Sequence, residues 1–286
     1  MRREFWLPLA TIAAGWTHSL WATDSAVENK IRDVLRDGGL QGAVCVVDVR
    51  SGQTLACVGS GQDPNAPVLP LSAIKLFVAS MWFDLMPAKR GLTDPKKGGV
   101  TMQDVLVVGY DAPGEEAAVT LRKMLGTERM LESLGKRGLG LLPGKLELGP
   151  KTDDNAWGET LSIGEINVTI TLPPLTRFLC SFGAETSPSA RNLQFSMREC
   201  VARGSASSVA HALDGTGWSL GGKTGTGPAA SAPNFDGCFD GLIFNGDEPR
   251  YAFAIYIQGR GKGGGVAAGV AADLAKWFAT NEGSVR

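Results

Sequence analysis

A serine and a lysine stand three residues apart at the start of an apolar run, in the segment LPLSAIKLFVASMWFDL from Leu69 to Leu85. Residues three apart on a helix share a face, so the amine of Lys75 can reach the hydroxyl of Ser72. Burial among apolar side chains disfavours the ammonium and lowers the lysine pKa, which makes the amine a base for the serine proton. The pair therefore has the chemistry of a serine nucleophile, and the N–H of Ser72 at the helix start is available to an oxyanion.

The same spacing also has a purely structural interpretation. About one Ser-x-x-Lys match is expected by chance in a chain of this length, and an N-cap serine followed by a lysine that reaches solvent would produce it. Context favours the catalytic interpretation, because the helix that begins at Ser72 is apolar nearly all round and must be buried.

A histidine is the rival base. His211 is the only histidine after residue 22, so a Ser-His-Asp triad would have to use it. It lies towards the end of a helical stretch, where a partly exposed structural histidine is the favoured interpretation. A single histidine also excludes a histidine-based metal site, and no Cys-x-x-Cys pair is present to bind zinc.

A second motif is the glycine-rich segment GGKTGTG, from Gly221 to Gly227. The overlapping residues 217–224, GWSLGGKT, satisfy the P-loop pattern of nucleotide-binding proteins. A P-loop opens a helix, however, and the GTGPAASAPN that follows here cannot be helical. We therefore predict an edge strand in which Lys223 and Thr224 face a substrate carboxylate, with glycines that let the substrate backbone approach closely.

Together the two motifs resemble those of the penicillin-recognising serine acyl-transferases: serine β-lactamases, D-alanyl-D-alanine peptidases and penicillin-binding transpeptidases. LSAIKLF resembles their nucleophile helix, GWSLGGKTGTG their Lys-Thr-Gly strand, and LSIGEINVTITLPPLTRFL a segment of transpeptidases and class D β-lactamases. The resemblance implies that Ser72 is the acylated nucleophile, that Lys75 is its base, and that Lys223 and Thr224 hold the substrate carboxylate. It further implies substrate contacts at Gly225 and Thr226, and no metal or organic cofactor.

The middle motif of the family, Ser-x-Asn or Tyr-x-Asn, is where this sequence departs. The nearest counterpart is VVGYDAPGEEAA, in which Gly109, Tyr110 and Asp111 precede a helix. Tyr110 would supply the hydroxyl that passes a proton to the leaving group, and Asp111 would orient Lys75 or the substrate amide. A tyrosine that simply packs at a helix start is an equally good interpretation.

The resemblance implies attack on D-alanyl-D-alanine-type peptide bonds of peptidoglycan and acylation by β-lactams, with an oxyanion hole formed by the N–H groups of Ser72 and Thr226. A β-lactamase would differ only in how fast water deacylates Ser72. Glu159 and Glu165 are the nearest carboxylates for that step, although the transpeptidase-like interpretation makes them structural or loop residues. A class D-like mechanism would instead need a carboxylated Lys75. A non-catalytic descendant that binds cell-wall peptide or a partner protein is the third possibility.

The elements that must position these residues follow the order helix, two strands, helical insertion, three strands, helix. This order predicts a mixed α/β (α+β) fold of the β-lactamase and transpeptidase type, with a central antiparallel sheet flanked by the terminal helices and a helical subdomain. We expect a single domain over residues 23–286. Its α/β lobe would comprise residues 23–70 and 205–286, and its helical lobe would comprise residues from about 71 to 204.

The chain has 286 residues, of which 43% are apolar, and a formal net charge of −1. It can bury a sizeable core, and nothing in its charge points to nucleic acid.

Arg2 and Arg3 precede an apolar stretch that ends at Trp16, and a small-residue site follows near Ala22, which is the pattern of a signal peptide over residues 1–22. An uncleaved anchor is the alternative, although the stretch is shorter than the roughly 20 residues of a membrane span. We expect a periplasmic or secreted protein whose mature chain has no membrane span and whose oligomeric state is open.

The chain contains five cysteines, so at least one thiol is unpaired within a monomer. Cys45 and Cys57 lie in a predicted hairpin, GAVCVVDVRSGQTLACVGSG, whose turn at Ser51 and Gly52 places them opposite each other. Because an exported chain can form disulfides, we predict a Cys45–Cys57 bond. Two small buried residues are the alternative interpretation.

Overall fold

A computed structural model describes residues 24–86, 90–94, 96, 98–137, 139, 153–165, 168–228, 234–260 and 263–282. The predicted signal peptide, residues 1–22, lies outside the described residues. The strands of the described part are β1 Gly42–Asp48, β2 Thr54–Ser60, β3 Leu92–Asp94, β4 Gly98–Val100, β5 Trp218–Pro228, β6 Phe235–Asn245 and β7 Glu248–Ile257. Its α-helices are α1 Ser25–Asp37, α2 Ile74–Leu85, α3 Met102–Val108, α4 Ala112–Leu125, α5 Thr127–Lys136, α6 Asp154–Ser162, α7 Leu172–Ala184, α8 Pro188–Arg203 and α9 Gly263–Asn281.

Five strands form one antiparallel sheet in the order β2-β1-β7-β6-β5. The first two strands of the chain and the last three therefore build a single sheet, which confirms the predicted mixed fold with a central antiparallel sheet. The strand that carries Lys-Thr-Gly, β5, lies at one edge, as predicted. Because β5 pairs with β6 from Trp218 through Thr224, this segment is a strand and does not form a P-loop.

Both faces of the sheet are buried, and alternate residues of β7 show why. Tyr251, Phe253 and Ile255 belong to one core cluster, whereas Ala252 and Ala254 belong to the other. Successive side chains of a strand point to opposite faces, so a strand that is apolar at every position must be covered twice. The terminal helices α1 and α9 pack on the first face, and α7 together with the helical region packs on the second.

Helix α2 lies at the centre of the second cluster and is buried all round. Every residue from Ile74 to Phe83 is buried, including the two polar ones, Lys75 and Ser80. A helix without a polar face can be stable only inside the protein. Lys75 therefore enters the interior because its helix does.

The predicted disulfide is present between Cys45 and Cys57, which face each other across the β1–β2 hairpin. The small β3–β4 hairpin and the short helices α3 and α6 are elements that the sequence pattern did not predict. No helix in the described parts of the chain is long and apolar enough to cross a membrane.

Candidate active site

The predicted nucleophile lies in a tight turn just before α2. A 3₁₀ turn, Leu71–Ala73, contains Ser72, and the α-helix itself begins two residues later at Ile74. Between Leu71 and Phe83, Ser72 is the one residue that is not fully buried. The fold thus presents this hydroxyl at the surface of an otherwise enclosed segment.

Leu71 holds the turn in an uncommon backbone conformation. Its φ of 52° is the only positive value outside glycine in the described part of the chain. Such a conformation costs on the order of 1 kcal/mol or more and persists only where the surroundings fix it. The Leu71 N–H donates to the Gly164 carbonyl at 3.1 Å, and the Leu71 side chain is completely buried.

The glycines of β5 allow the strand to lie directly against this turn. A Cβ on Gly225 would stand 3.0 Å from the Ser72 nitrogen, and a Cβ on Gly227 would collide with the Leu71 side chain. We expected these glycines to admit a substrate backbone. At these two positions the group that requires their smallness is the nucleophile turn itself.

Lys75 connects the nucleophile to two other elements. Its Nζ donates to Ser72 Oγ at 3.1 Å, to Asp111 Oδ1 at 2.7 Å and to the Ser162 carbonyl at 2.6 Å. Its exposed fraction is 0%, so it does not extend to solvent. Ser72, in turn, does not cap the helix with its side chain. The arrangement is thus the predicted hydroxyl–amine pair, with the amine held by three oxygens.

The pKa of Lys75 is lowered from 10.5 to about 8. Burial is the largest cause, and the positive charge of Lys223 acts in the same direction, whereas the carboxylates of Asp111 and Glu115 oppose the shift. With this pKa, about a tenth of the amine is neutral at pH 7. A base is therefore present at neutral pH without complete loss of the charge.

Asp111 and Ser162 provide the two acceptors of the Lys75 amine other than Ser72. Asp111 is the N-cap residue of α4, but its side chain does not cap that helix and binds Lys75 instead. Ser162 ends α6, and its hydroxyl donates to the Asp111 carbonyl at 2.8 Å. A Cβ on Gly114 would collide with this hydroxyl, so a glycine in α4 makes the contact between the two helices possible. The sequence pattern indicated no role for Ser162, although this residue lies in the segment LSIGEINVTITLPPLTRFL, which resembles a segment of transpeptidases.

The residues of the predicted middle motif take different positions. Gly109 ends α3 with a φ of 90°, and a Cβ placed on it would lie 3.4 Å from Lys223 Nζ. Tyr110 is half-buried and packs against the second core cluster, the one that contains α2. Asp111 pairs with the Lys75 amine at 2.7 Å, and its role in orienting that amine or the substrate amide stays a prediction. The position of the motif that has no side chain therefore lies beside the second lysine.

The strand side of the site is formed by Lys223 and Thr224. Lys223 is 2% exposed, its Nζ donates to the Thr224 carbonyl at 2.7 Å, and burial lowers its pKa. The Thr224 hydroxyl lies 2.5 Å from that of Ser205, which sequence reasoning also missed. Thr226 is exposed, and its hydroxyl accepts from the N–H of Gly264 at the start of α9.

Two further carboxyl groups lie near the lysine. The pKa values of Glu115 and Glu165 are both raised, first by burial and then by the negative charge of Asp111. Glu165 lies beside Gly227 of β5, whereas Glu159 is exposed on α6. His211 is 90% exposed and pairs with Asp214, so it is more exposed than the partly exposed residue that was predicted. The described residues contain no cluster of three or more His, Cys, Asp or Glu side chains able to hold a metal ion.

Solved structures with this fold include several penicillin-binding proteins. The TP domain of penicillin-binding protein 3 from Burkholderia pseudomallei matches with a TM-score of 0.72 at 18% identity, over 94% of this chain and 97% of that one. The D,D-transpeptidase domain of a peptidoglycan glycosyltransferase from Eggerthella lenta gives 0.70 at 16% identity, over 91% and 82%. Penicillin-binding protein 3 from Mycobacterium tuberculosis, complexed with aztreonam, gives 0.65 at 19% identity, over 91% and 77%.

The comparison of sequences adds no relative. No protein-family model matches the chain, and no curated protein matches it. The structural matches nevertheless agree with the resemblance of the motifs: the fold is that of penicillin-binding protein transpeptidase domains. At these identities the fold is shared, and activity has to be argued from the site.

Proposed function

We propose that the chain is an exported serine acyl-enzyme that attacks D-alanyl-D-alanine-type peptide bonds of peptidoglycan and is acylated by β-lactams. The observation that carries the proposal is the contact between the fully buried Lys75 amine and the Ser72 hydroxyl at 3.1 Å. The fold supports it, because transpeptidase domains share this fold and one matching protein holds aztreonam. Export is proposed from the signal-peptide pattern of residues 1–22.

In the proposed reaction, the neutral amine of Lys75 takes the Ser72 proton while Oγ bonds to the substrate carbonyl carbon. The carbonyl oxygen becomes an oxyanion, to which the N–H groups of Ser72 and Thr226 donate. The C–N bond then breaks, and the proton passes to the leaving nitrogen, a step for which Tyr110 is the candidate relay. Water or an amine finally attacks the ester on Ser72, which gives hydrolysis or transpeptidation.

The substrate is oriented by the strand side of the site. A buried ammonium and a hydroxyl from adjacent residues suit a carboxylate, so we assign the substrate carboxylate to Lys223 and Thr224. Gly225 and Thr226 continue the same strand beside the scissile bond. Asp111 keeps the Lys75 amine directed at Ser72.

The second candidate function is a β-lactamase, and Glu165 is the observation that favours it. This half-buried carboxyl lies beside β5 and interacts electrostatically with Lys75, and its raised pKa is that of a stronger base than a free glutamate. Such a group could activate the deacylating water. Carboxylation of Lys75 is disfavoured, because a carbamate would put negative charge against Asp111 and the Ser162 carbonyl.

The test is the intact mass of the purified protein after brief exposure to a penicillin, measured beside Ser72→Ala. We expect a stable adduct of one drug mass on the wild type and none on the variant. Consumption of the drug without an adduct would favour the β-lactamase. Neither an adduct nor consumption, with the same muropeptide affinity in both proteins, would overturn the proposal in favour of a binding protein.

A further inference from the structure

A buried carboxyl group faces Lys223 from the neighbouring strand. Asp240 of β6 is paired directly with Lys223 of β5 in the antiparallel ladder, and their exposed fractions are 1% and 2%. Residues directly opposite each other in such a ladder project to the same face and have Cβ atoms about 5 Å apart. Asp240 is therefore a neighbour of the lysine on the side away from solvent.

The hydrogen bonds of Asp240 leave one oxygen available. Its Oδ1 accepts from the Ile255 N–H at 3.1 Å, whereas its Oδ2 is buried without a partner within hydrogen-bonding distance in the described residues. A buried polar atom without a partner costs roughly 1–3 kcal/mol. The Cys238 thiol also acts on this carboxyl group as a hydrogen-bond donor, and the unpartnered oxygen can act on the lysine through its charge.

The charges around the pair support this interpretation. Burial raises the pKa of Asp240 to about 7, against the lowering effects of the Cys238 thiol, the Ile255 amide and Lys223. Burial also lowers the pKa of Lys223, while Cys200, Cys238, Asp111 and, most weakly of these, Asp240 act to raise it. The Thr224 carbonyl is the one hydrogen-bond acceptor of the ammonium in the described part of the chain. A fully buried ammonium with so little compensation loses its proton unless an anion lies near.

We propose that Asp240 is a positioning residue of the site. Its carboxylate lies behind Lys223 and helps to keep that ammonium charged, so that the N–H groups of Lys223 that have no acceptor in the described residues can donate to a substrate carboxylate. The inference rests on the proposed function, because that function gives Lys223 the substrate carboxylate. It adds a titratable residue that lies outside the Ser-x-x-Lys and Lys-Thr-Gly motifs. When Asp240 gains a proton or is removed, Lys223 loses its counter-charge and releases its own proton at a lower pH.

The direct test is the titration of Lys223, followed by NMR of protein carrying isotope-labelled lysine and assigned with Lys223→Arg. We expect the Lys223 ammonium to titrate at a lower pH in Asp240→Asn than in the wild type. Asp236→Asn is the matched control, because Asp236 is also buried on β6 and both its oxygens are bonded, to the Tyr256 hydroxyl at 2.6 Å and the Gly259 N–H at 2.8 Å. An unchanged Lys223 titration in Asp240→Asn, or an equal shift in Asp236→Asn, would overturn the inference.

A second variant keeps the test decisive if Asp240→Asn does not fold. In Lys223→Met, the Asp240 carboxyl should titrate at a higher pH than in the wild type, because the coupling between two charges is reciprocal. An Asp240 titration that does not move would contradict the proposal. Neither NMR measurement depends on catalysis, so failure of Ser72 to form an acyl-enzyme would refute the proposed function without deciding this inference.

The functional readout is the pH profile of acylation by a penicillin. We expect its high-pH limb, where Lys223 loses its proton, to move to lower pH in Asp240→Asn, with a loss of about tenfold per pH unit on that limb. A neutral penicillin ester should not show the shift, since it has no carboxylate for Lys223. A uniform loss at every pH with both drugs would assign Asp240 a structural role only.

Discussion

The two lysines of the site differ in what surrounds them. Both are buried, and burial is the largest cause of the lowered pKa of each. Lys75 donates to a hydroxyl, a carboxylate and a carbonyl from three separate elements. Lys223 donates to the carbonyl of its own sequence neighbour, Thr224, and has a carboxyl group behind it. The Lys75 amine is hydrogen-bonded to three oxygens of the protein, whereas the Lys223 amine keeps N–H donors for a ligand.

This difference separates proton transfer from anion binding. A base must be able to lose its proton, and the counter-ion of Lys75, Asp111, is 56% exposed, so solvent weakens its hold on the ammonium. The proposed carboxylate receptor must stay charged, and the 1% exposed carboxyl group opposite Lys223 acts to raise the Lys223 pKa, although less than Cys200, Cys238 and Asp111 do. The proposed division of tasks between these two chemically identical side chains therefore rests on their different hydrogen-bonding surroundings.

Substitution of Lys75 should have the largest effect and would sharpen the comparison. We expect Lys75→Ala to reduce the first-order acylation rate about 10²- to 10⁴-fold, the range for loss of a general base, with a smaller change in initial binding of the drug. Lys75→Arg should lose as much, because a guanidinium pairs with Asp111 but does not release its proton. Stopped-flow acylation at several drug concentrations separates the first-order acylation rate constant from the constant for initial binding of the drug.

Lys223→Ala is the matched control for that experiment. It should weaken binding of a carboxylate-bearing drug more than it slows the chemical step. A Lys75→Arg variant that acylates at the wild-type rate would break the assignment of Lys75 as the base.

The space beside Lys223 provides the next prediction. Gly109 has no side chain there, although a Cβ would lie 3.4 Å from Lys223 Nζ. We expect Gly109→Ser to raise the acylation rate by about tenfold, because its hydroxyl would supply a proton relay to the leaving nitrogen. Gly109→Ala is the control, since it imposes the same backbone strain at φ 90° without the hydroxyl. Equal rates in the two variants would show that this gap has no part in proton transfer.

The sequence predicted those parts of the site that depend on local spacing. Ser72 and Lys75 are one helical turn apart, and Lys223 and Thr224 belong to one strand motif, so periodicity and a short pattern were sufficient. The Cys45–Cys57 bond followed in the same way from the register of a hairpin. The five strands of the central sheet, in their order along the chain, followed from short apolar or alternating runs.

The rest depends on contacts between residues far apart in sequence. Ser162 reaches Lys75 across 87 residues, and Asp240 reaches Lys223 only because β6 pairs with β5 in one register. A single sequence carries no signal for such contacts. A buried acidic residue in the run FDGCFDGLIF was the one local clue to Asp240, since a charge among strand residues needs a partner.

Asp111 gives the smallest expected effect and the finest test of the comparison. Its carboxylate favours the Lys75 ammonium, so Asp111→Asn should lower the Lys75 pKa further and move the rising limb of the acylation profile, near pH 8 in the wild type, to lower pH. The plateau rate should change by less than about tenfold, because the amide oxygen still accepts from the amine. Glu115→Gln should give a smaller shift in the same direction, since Glu115 is the weakest of the groups that raise the Lys75 pKa. An unmoved profile in Asp111→Asn would mean that Asp111 does not govern proton loss from Lys75, and the proposed division of roles between the two lysines would lose that support.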